Sequence, residues 1–230
     1  MPVYLLQYKF FLTSQRKAYC LFLFYVIILI GDTLKYIIMC AGKGERWNNY
    51  LGVPKQLIEI NGETLLGRTT RLLKENGIND YVITNNEDKF NEYGIVIKQT
   101  FNDCEVDRFE EKEDKEICYL YGDVYYTDEA MKTIVNTDTN NILFFGSEME
   151  IFAIKIKNKE LFFEHKSRVK DLYLKKEIER CIGWEVYKSL NDIPLDGYAI
   201  KDMYYLINDK TDDIDYPEEY DNFVKEREII

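Results

Sequence analysis

Lys35-Tyr36-Ile37-Ile38-Met39-Cys40-Ala41-Gly42-Lys43-Gly44-Glu45-Arg46-Trp47-Asn48-Asn49-Tyr50-Leu51-Gly52-Val53-Pro54-Lys55-Gln56-Leu57 holds the most information about the architecture of this chain. Tyr36 to Cys40 is a continuous apolar run of strand-forming residues, short enough for a strand buried on both faces, and it stops at Ala41, Gly42 and Gly44. A strand therefore feeds a glycine-rich turn. Glycine has no Cβ and tolerates positive φ, so such a turn brings bare backbone N–H groups close to an anion. Lys43, Arg46 and Lys55 lie in or just after it. Glycines that admit a polyphosphate, with Arg and Lys to neutralise it, are the elements of a nucleoside triphosphate site.

Spacing separates the loop types that share this look. The phosphate loop of ATPases needs G-x-x-x-x-G-K-[ST], which does not occur here, and the dinucleotide fingerprint G-x-G-x-x-G fails because its third glycine position is Trp47. Ala41-Gly42-Lys43-Gly44-Glu45-Arg46 followed by Pro54-Lys55-Gln56-Leu57 resembles the signature of the nucleotidyltransferases that activate sugar phosphates and alcohol phosphates.

Downstream, apolar strand runs alternate with helical patterns. Leu57–Ile60 reads as a short strand, Thr64–Asn76 as a helix stopped by Asn76-Gly77, Asp80–Thr84 as a strand ending in Asn85-Asn86, and Gly94–Lys98 as another. This alternation predicts a parallel sheet, whose ligands sit outside the strands' carboxyl ends. Asn85 falls at such an end and is a candidate for contact with base or ribose; the alternative is an ordinary Asn-rich turn. Asn102 to Lys115 is dense in charge and reads as a solvated excursion, with Asn102, Asp107 and Arg108 as candidate contacts. Ile117 to Val124 is an apolar strand closing in Gly122-Asp123, which sets a carboxylate at the sheet's carboxyl edge. Asp128–Asn136 reads as a helix, Asn141–Gly146 and Ile151–Ile156 as strands, Glu160–Leu190 as mostly helix, and Met203–Ile207 as a strand.

The resemblance implies an α/β fold, a Rossmann-like three-layer sandwich with a mostly parallel central sheet of the GT-A-like nucleotidyltransferase type. It implies that Asp123 holds a catalytic Mg²⁺, since hard oxygen ligands suit that ion. Ile214-Asp215-Tyr216-Pro217-Glu218-Glu219 is similar to the family's Ile-Asp-x-Pro-Glu-Asp stretch apart from Glu219, which makes Asp215 the second metal ligand and Pro217 the opening of the last helix. Ala41, Gly42, Lys43 and Gly44, with Asn85, then bind nucleotide, while Arg46 and Lys55 act on the phosphates. Asp212 and Asp213 are further metal candidates, and Lys155 and Lys157 candidates for gripping the acceptor's phosphate. The implied partners are a nucleoside triphosphate and a phosphorylated small-molecule acceptor, joined with release of pyrophosphate. Two alternatives stay open: a glycosyltransferase using a nucleotide sugar, for which Asp213-Ile214-Asp215 supplies a D-x-D pattern, and a non-catalytic nucleotide-binding module.

Composition bounds these readings. The 230 residues suffice for one substantial core, and 46% hydrophobic with 15% aromatic residues argues against disorder. A net charge of −11 argues against nonspecific binding to nucleic acid or anionic membrane, so the cations of the loop act as a focused site. Cys20, Cys40, Cys104, Cys118 and Cys181 show no metal-ligand spacing and suggest reduced thiols in the cytoplasm. The single histidine, His165, argues against zinc sites and His-dependent triads. Residues 1–33 differ from the rest: Ala18 to Ile30 carries no charge and is short for a spanning helix. This segment reads as the product of a mis-called start, as a membrane anchor holding the domain at the inner face, or as an ordinary packed helix. In each case residues 34–230 form the functional domain.

Overall fold

The computed structural model describes residues 34–110 and 115–228, so the readings made of residues 1–33 lie outside the described residues. In chain order the elements are β1 (Leu34–Met39), β2 (Glu59–Ile60), β3 (Glu63–Thr64), α1 (Leu65–Glu75), β4 (Tyr81–Thr84), β5 (Ile95–Ile97), β6 (Glu116–Tyr121), β7 (Val124–Tyr125), α2 (Asp128–Asn136), β8 (Ile142–Gly146), β9 (Ile151–Ile156), α3 (Lys159–Leu174), α4 (Gly183–Leu190), β10 (Tyr204–Leu206), β11 (Asp212–Asp213) and α5 (Pro217–Glu228). Seven strands make one sheet in the order β10-β8-β9-β6-β1-β4-β5. Parallel pairing joins β10 to β8, β6 to β1, β1 to β4 and β4 to β5, whereas β9 runs antiparallel to both of its neighbours.

The near-continuous apolar runs are explained by what covers them. Alternate side chains of β1 go to opposite faces, as the period of two requires. Tyr36 and Ile38 join Leu66, Leu72 and Leu73 of α1 and Met131 and Ile134 of α2. Ile37 and Met39 join Phe162 and Val169 of α3 and Val186 and Tyr187 of α4. Helices thus lie on both faces, and the layers are three, as the family resemblance implies. The helix starts are chemically marked: the Thr64 hydroxyl accepts from Gly67 N at 3.0 Å, and the Thr127 hydroxyl from Ala130 N at 3.0 Å. With Thr127 capping α2, Asp123 is not needed there.

Two expectations are corrected. Of the charge-dense stretch Asn102 to Lys115, the described residues 102–110 are not a wet excursion, since Val106 and Phe109 are fully buried and a single 3₁₀ turn spans Glu105–Arg108. The helical reading of Glu160–Leu190 breaks in two because Lys176 takes a left-handed conformation (φ 62°) and Glu177 N returns to Leu172 O, a C-terminal stop made without glycine. The buried stripe accordingly comes from Phe162, Phe163 and Val169 on α3 and from Val186 on α4, not from a continuous Leu172-Ile178-Ile182 face.

β6 ends where the chain must turn beside β1, and Gly122 permits it. A Cβ at Gly122 would sit 2.5 Å from Cys40 Sγ and 2.8 Å from the Met39 carbonyl oxygen. Overpacking of this kind costs about 1–3 kcal/mol. We expect Gly122→Ala to lose stability of that order in urea unfolding, and an unchanged midpoint would contradict the close approach.

Candidate active site

The parallel strands deliver the two chemistry-bearing turns to one edge. The Gly-Lys-Gly-Glu-Arg loop leaves β1 there, and Gly122-Asp123 leaves the neighbouring β6, its Gly122 N donating to Met39 O at 3.1 Å. The carboxyl-terminal Asp-Tyr-Pro stretch arrives by a separate route. β11 pairs antiparallel with β7, Asp213 opposite Val124, and Ile214 N donates to Asp123 O at 3.2 Å. That short ladder sets Asp215 beside Asp123, although the two are far apart in the chain.

Between the two carboxylates lies Lys55. Pro54 fixes the entry to the 3₁₀ turn Lys55–Leu57, and the buried Lys55 ammonium reaches Asp123 Oδ2 and Asp215 Oδ1 at 2.5 Å each. Burial alone lowers a lysine pKa, but the two carboxylates outweigh it and hold Lys55 above its ordinary value. Burial likewise opposes ionisation of Asp123, and Lys55 reverses this and draws it below the usual carboxylate range. Arg46 pairs with Asp215 through its guanidinium and lies 5.5 Å from the Tyr216 ring centroid. Glu219, the departure from the family's aspartate, uses its longer side chain to accept from the N–H groups of Asp215 and Tyr216 at 2.8 and 2.9 Å, closing the first turn of α5.

The loop itself is pinned by the residue that breaks the dinucleotide fingerprint. Trp47 is buried, donates its indole N–H to Val53 O at 2.8 Å, and meets Tyr50 and Tyr220 edge-on. Gly44 takes positive φ (62°) at the bend. Gly42 lies against the Arg108 guanidinium: a Cβ built on it would sit 3.4 Å from Arg108 Nη1, in ordinary contact. Arg108 is oriented by Asn102 Oδ1 at 2.9 Å, and Asn102 in turn donates to Ala41 O at 2.5 Å.

These residues enclose a cavity of about 590 Å³. Gly42, Lys43, Gly44, Arg46, Lys55, Asp123 and Asp215 line it, and so do Arg108, Arg180, Glu105, Glu150, Trp184 and Asp213. No local motif pointed to Arg180 or Trp184, which enter from the segment after α3. Ala41 and Asn85 are not among the lining residues. Asn85 is buried, with its amide donating to Cys40 O at 2.6 Å and its carbonyl accepting from the N–H groups of Asn86 and Glu87, so the turn-forming alternative describes it. Lys155 and Lys157 lie at the other edge of the sheet because β9 runs antiparallel. Lys155 donates to Val135 O and Thr137 O, and Lys157 pairs with Asp138.

The donor set fits a divalent cation. Seven carboxylates face five cationic side chains along the cavity wall, and burial together with Glu150, Asp123 and Asp215 pushes Asp213 up to about 8. The Lys55 ammonium, held equally by Asp123 and Asp215, marks where positive charge is required. Among the described residues no three acidic, His or Cys side chains form a ready-made metal cage. Two carboxylates completed by water and phosphate oxygens are what Mg²⁺ uses.

Residues 36–109 match the family model of the MobA-like NTP transferase domain. Among solved structures, CTP:phosphocholine cytidylyltransferase from Streptococcus pneumoniae is 16% identical over 84% of this chain and 99% of that one, with a TM-score of 0.56. This is the fold of the nucleotidyltransferases. The inositol-1-phosphate CTP transferase from T. maritima (16% identity, 84% and 96% coverage, TM-score 0.51) shares it. So does Rv0371C from Mycobacterium tuberculosis H37Rv, in complex with manganese (13%, 84% and 99%, 0.52). No curated protein sequence matches the chain. On the nucleotidyltransferase fold, the loop after β1, the turn after β6 and the approach to α5 make one site.

Removing Lys55 leaves Asp123 without its ion-pair partner and Asp215 with Arg46 alone, and breaking a buried pair in this way typically costs about 3–5 kcal/mol. We expect Lys55→Met to lower the melting temperature and Mg²⁺ to recover part of the loss. A variant as stable as the parent without metal would contradict the bridging role.

Proposed function

We propose that residues 34–230 catalyse Mg²⁺-dependent transfer of a nucleoside monophosphate from a nucleoside triphosphate to a sugar phosphate or alcohol phosphate, with release of pyrophosphate. The observation that carries this reading is the convergence of Lys55, Arg46, Asp123 and Asp215 beneath a glycine-rich loop in one cavity. The family match and the related structures support the reaction class, and the manganese complex of one neighbour supports a divalent ion.

In this reading the bare loop of Gly42 and Gly44 receives the triphosphate, with Lys43, Arg46 and Arg108 around it. Asp123 and Asp215 would hold the Mg²⁺, which when bound neutralises charge on the α-phosphate. Lys55, which would yield its two carboxylates to the cation, presents its ammonium to the α-phosphate and the incoming phosphate. The acceptor's phosphate is already ionised at neutral pH, so it attacks the α-phosphorus without a general base, and catalysis rests on positioning and charge. Trp184, Glu105 and Glu150, which also line the cavity, form the acceptor end. Dependence on nucleoside triphosphate suits a domain in the cytoplasm, where a compact cytidylyltransferase or sugar-phosphate enzyme would serve surface-polymer synthesis.

The test is a pyrophosphate-release assay with each of the four nucleoside triphosphates and a panel of sugar and alcohol phosphates. Arg46→Ala and Lys55→Ala should each lose on the order of 10² to 10³ in turnover. Asp123→Asn should abolish metal-dependent release. Release of nucleoside diphosphate from a nucleotide sugar instead would favour the glycosyltransferase reading, and near-normal turnover in either basic-residue variant would contradict the roles of Arg46 and Lys55.

A further inference from the structure

Outside the phosphate machinery, two cysteines far apart in sequence meet. Cys104 Sγ and Cys181 Sγ are 3.0 Å apart, about 1 Å more than a disulfide bond. They sit where two cavity walls touch: Val106 N donates to Cys181 O at 3.2 Å, and Glu105 Oε1 accepts from Gly183 N at 2.9 Å. Their sequence neighbours line the cavity, Asp103, Glu105 and Arg108 on one side and Arg180, Ile182 and Trp184 on the other.

The surroundings make the two sulfurs unequal. Cys104 is half-buried, and the Lys170 ammonium lies 3.4 Å from its Sγ, held there by Asp107 at 2.9 Å. Cys181 is 3% exposed. The contact with Cys181, aided by Lys170, draws the Cys104 thiol below its ordinary value, while the same contact and burial push Cys181 up. A half-buried thiol beside a cation, backed by a buried thiol in contact with it, has the geometry of an attacking and resolving pair. Cys40 and Cys118 lie in the core, where burial raises both thiols.

We propose that Cys104 and Cys181 are a reversible dithiol–disulfide site, closed by exchange with a small-molecule disulfide, that cross-links the two walls of the cavity. The Cys104 thiolate attacks one sulfur of the small disulfide, forming a mixed disulfide and expelling one thiolate. Cys181 then gives up its proton and attacks Cys104 Sγ, breaking the mixed disulfide and expelling the second thiolate, which takes the proton. The protein pair is oxidised by two electrons and the small disulfide is reduced to two thiols. The cross-link couples the 3₁₀ turn at Glu105–Arg108 to the start of α4, so that Arg108 and Trp184 are carried by one covalent unit.

The full chain, equilibrated with mixtures of reduced and oxidised glutathione, acid-quenched, alkylated and mapped by mass spectrometry, tests this without reference to turnover. The expected first oxidised product joins Cys104 to Cys181 and is reversed by dithiothreitol. Cys181→Ser should stop at a glutathione adduct on Cys104, and Cys104 should alkylate at neutral pH at least about tenfold faster than Cys118. A wild-type chain that accumulates the Cys104 adduct without the cross-link, or that is oxidised first at other cysteines, overturns the proposal.

Discussion

One buried ammonium between two carboxylates holds the site together. Lys55 comes from the loop after the first strand, Asp123 from the turn after β6, and Asp215 from the approach to the last helix. Each carboxylate alone would resist burial, and two side by side would repel; the lysine makes their proximity tolerable. Several other features serve this contact. Pro54 sets the turn that carries Lys55, Gly122 lets Asp123 approach β1, the β7–β11 ladder brings Asp215 across, and Glu219 fixes the backbone that presents it. Two buried carboxylates joined through one ammonium hold the three segments in register with the chain's own residues.

The topology decides which residues can reach that place. Strands running the same way deliver their following turns to one edge, so β1 and β6 contribute chemistry there. β9 runs the other way, so its beginning lies at the site and its end does not. Ile151 and the preceding Glu150 line the cavity, while Lys155 is committed to the carbonyls that close α2. The second wall is built by the segment after α3, whose stop at Lys176 sends the chain back to place Arg180 and Trp184.

Much of this was legible in the sequence because it is local. The strand into Gly42-Lys43-Gly44, the Pro-Lys dipeptide, Gly122-Asp123 and Asp215-Tyr216-Pro217 each announce a turn type and a chemistry within a few residues. What was not legible depends on partners distant in the chain. The charge of Asn102 to Lys115 concealed Val106 and Phe109, whose burial is set by α3 and β6. Lys155 and Lys157, candidates from the resemblance, lie away from the cavity because β9 runs antiparallel, a direction the sequence does not reveal. Asn85 sits at a strand end, as expected, but its polar atoms close the turn, and that depended on the Cys40 carbonyl being within reach. Trp47 disqualified one motif by its identity; that it is the anchor of the loop follows from Tyr220, which arrives only with the last helix.

If Asp123 and Asp215 form one cation site shared with the triphosphate and guarded by Lys55, metal and nucleotide must bind there together. Electron paramagnetic resonance of Mn²⁺ titrated into the protein, with and without nucleoside triphosphate, reads this coupling. The expected result is bound Mn²⁺ whose affinity rises with nucleotide and is lost in both Asp123→Asn and Asp215→Asn. Binding that survives either substitution, or that is indifferent to nucleotide, would contradict a shared site.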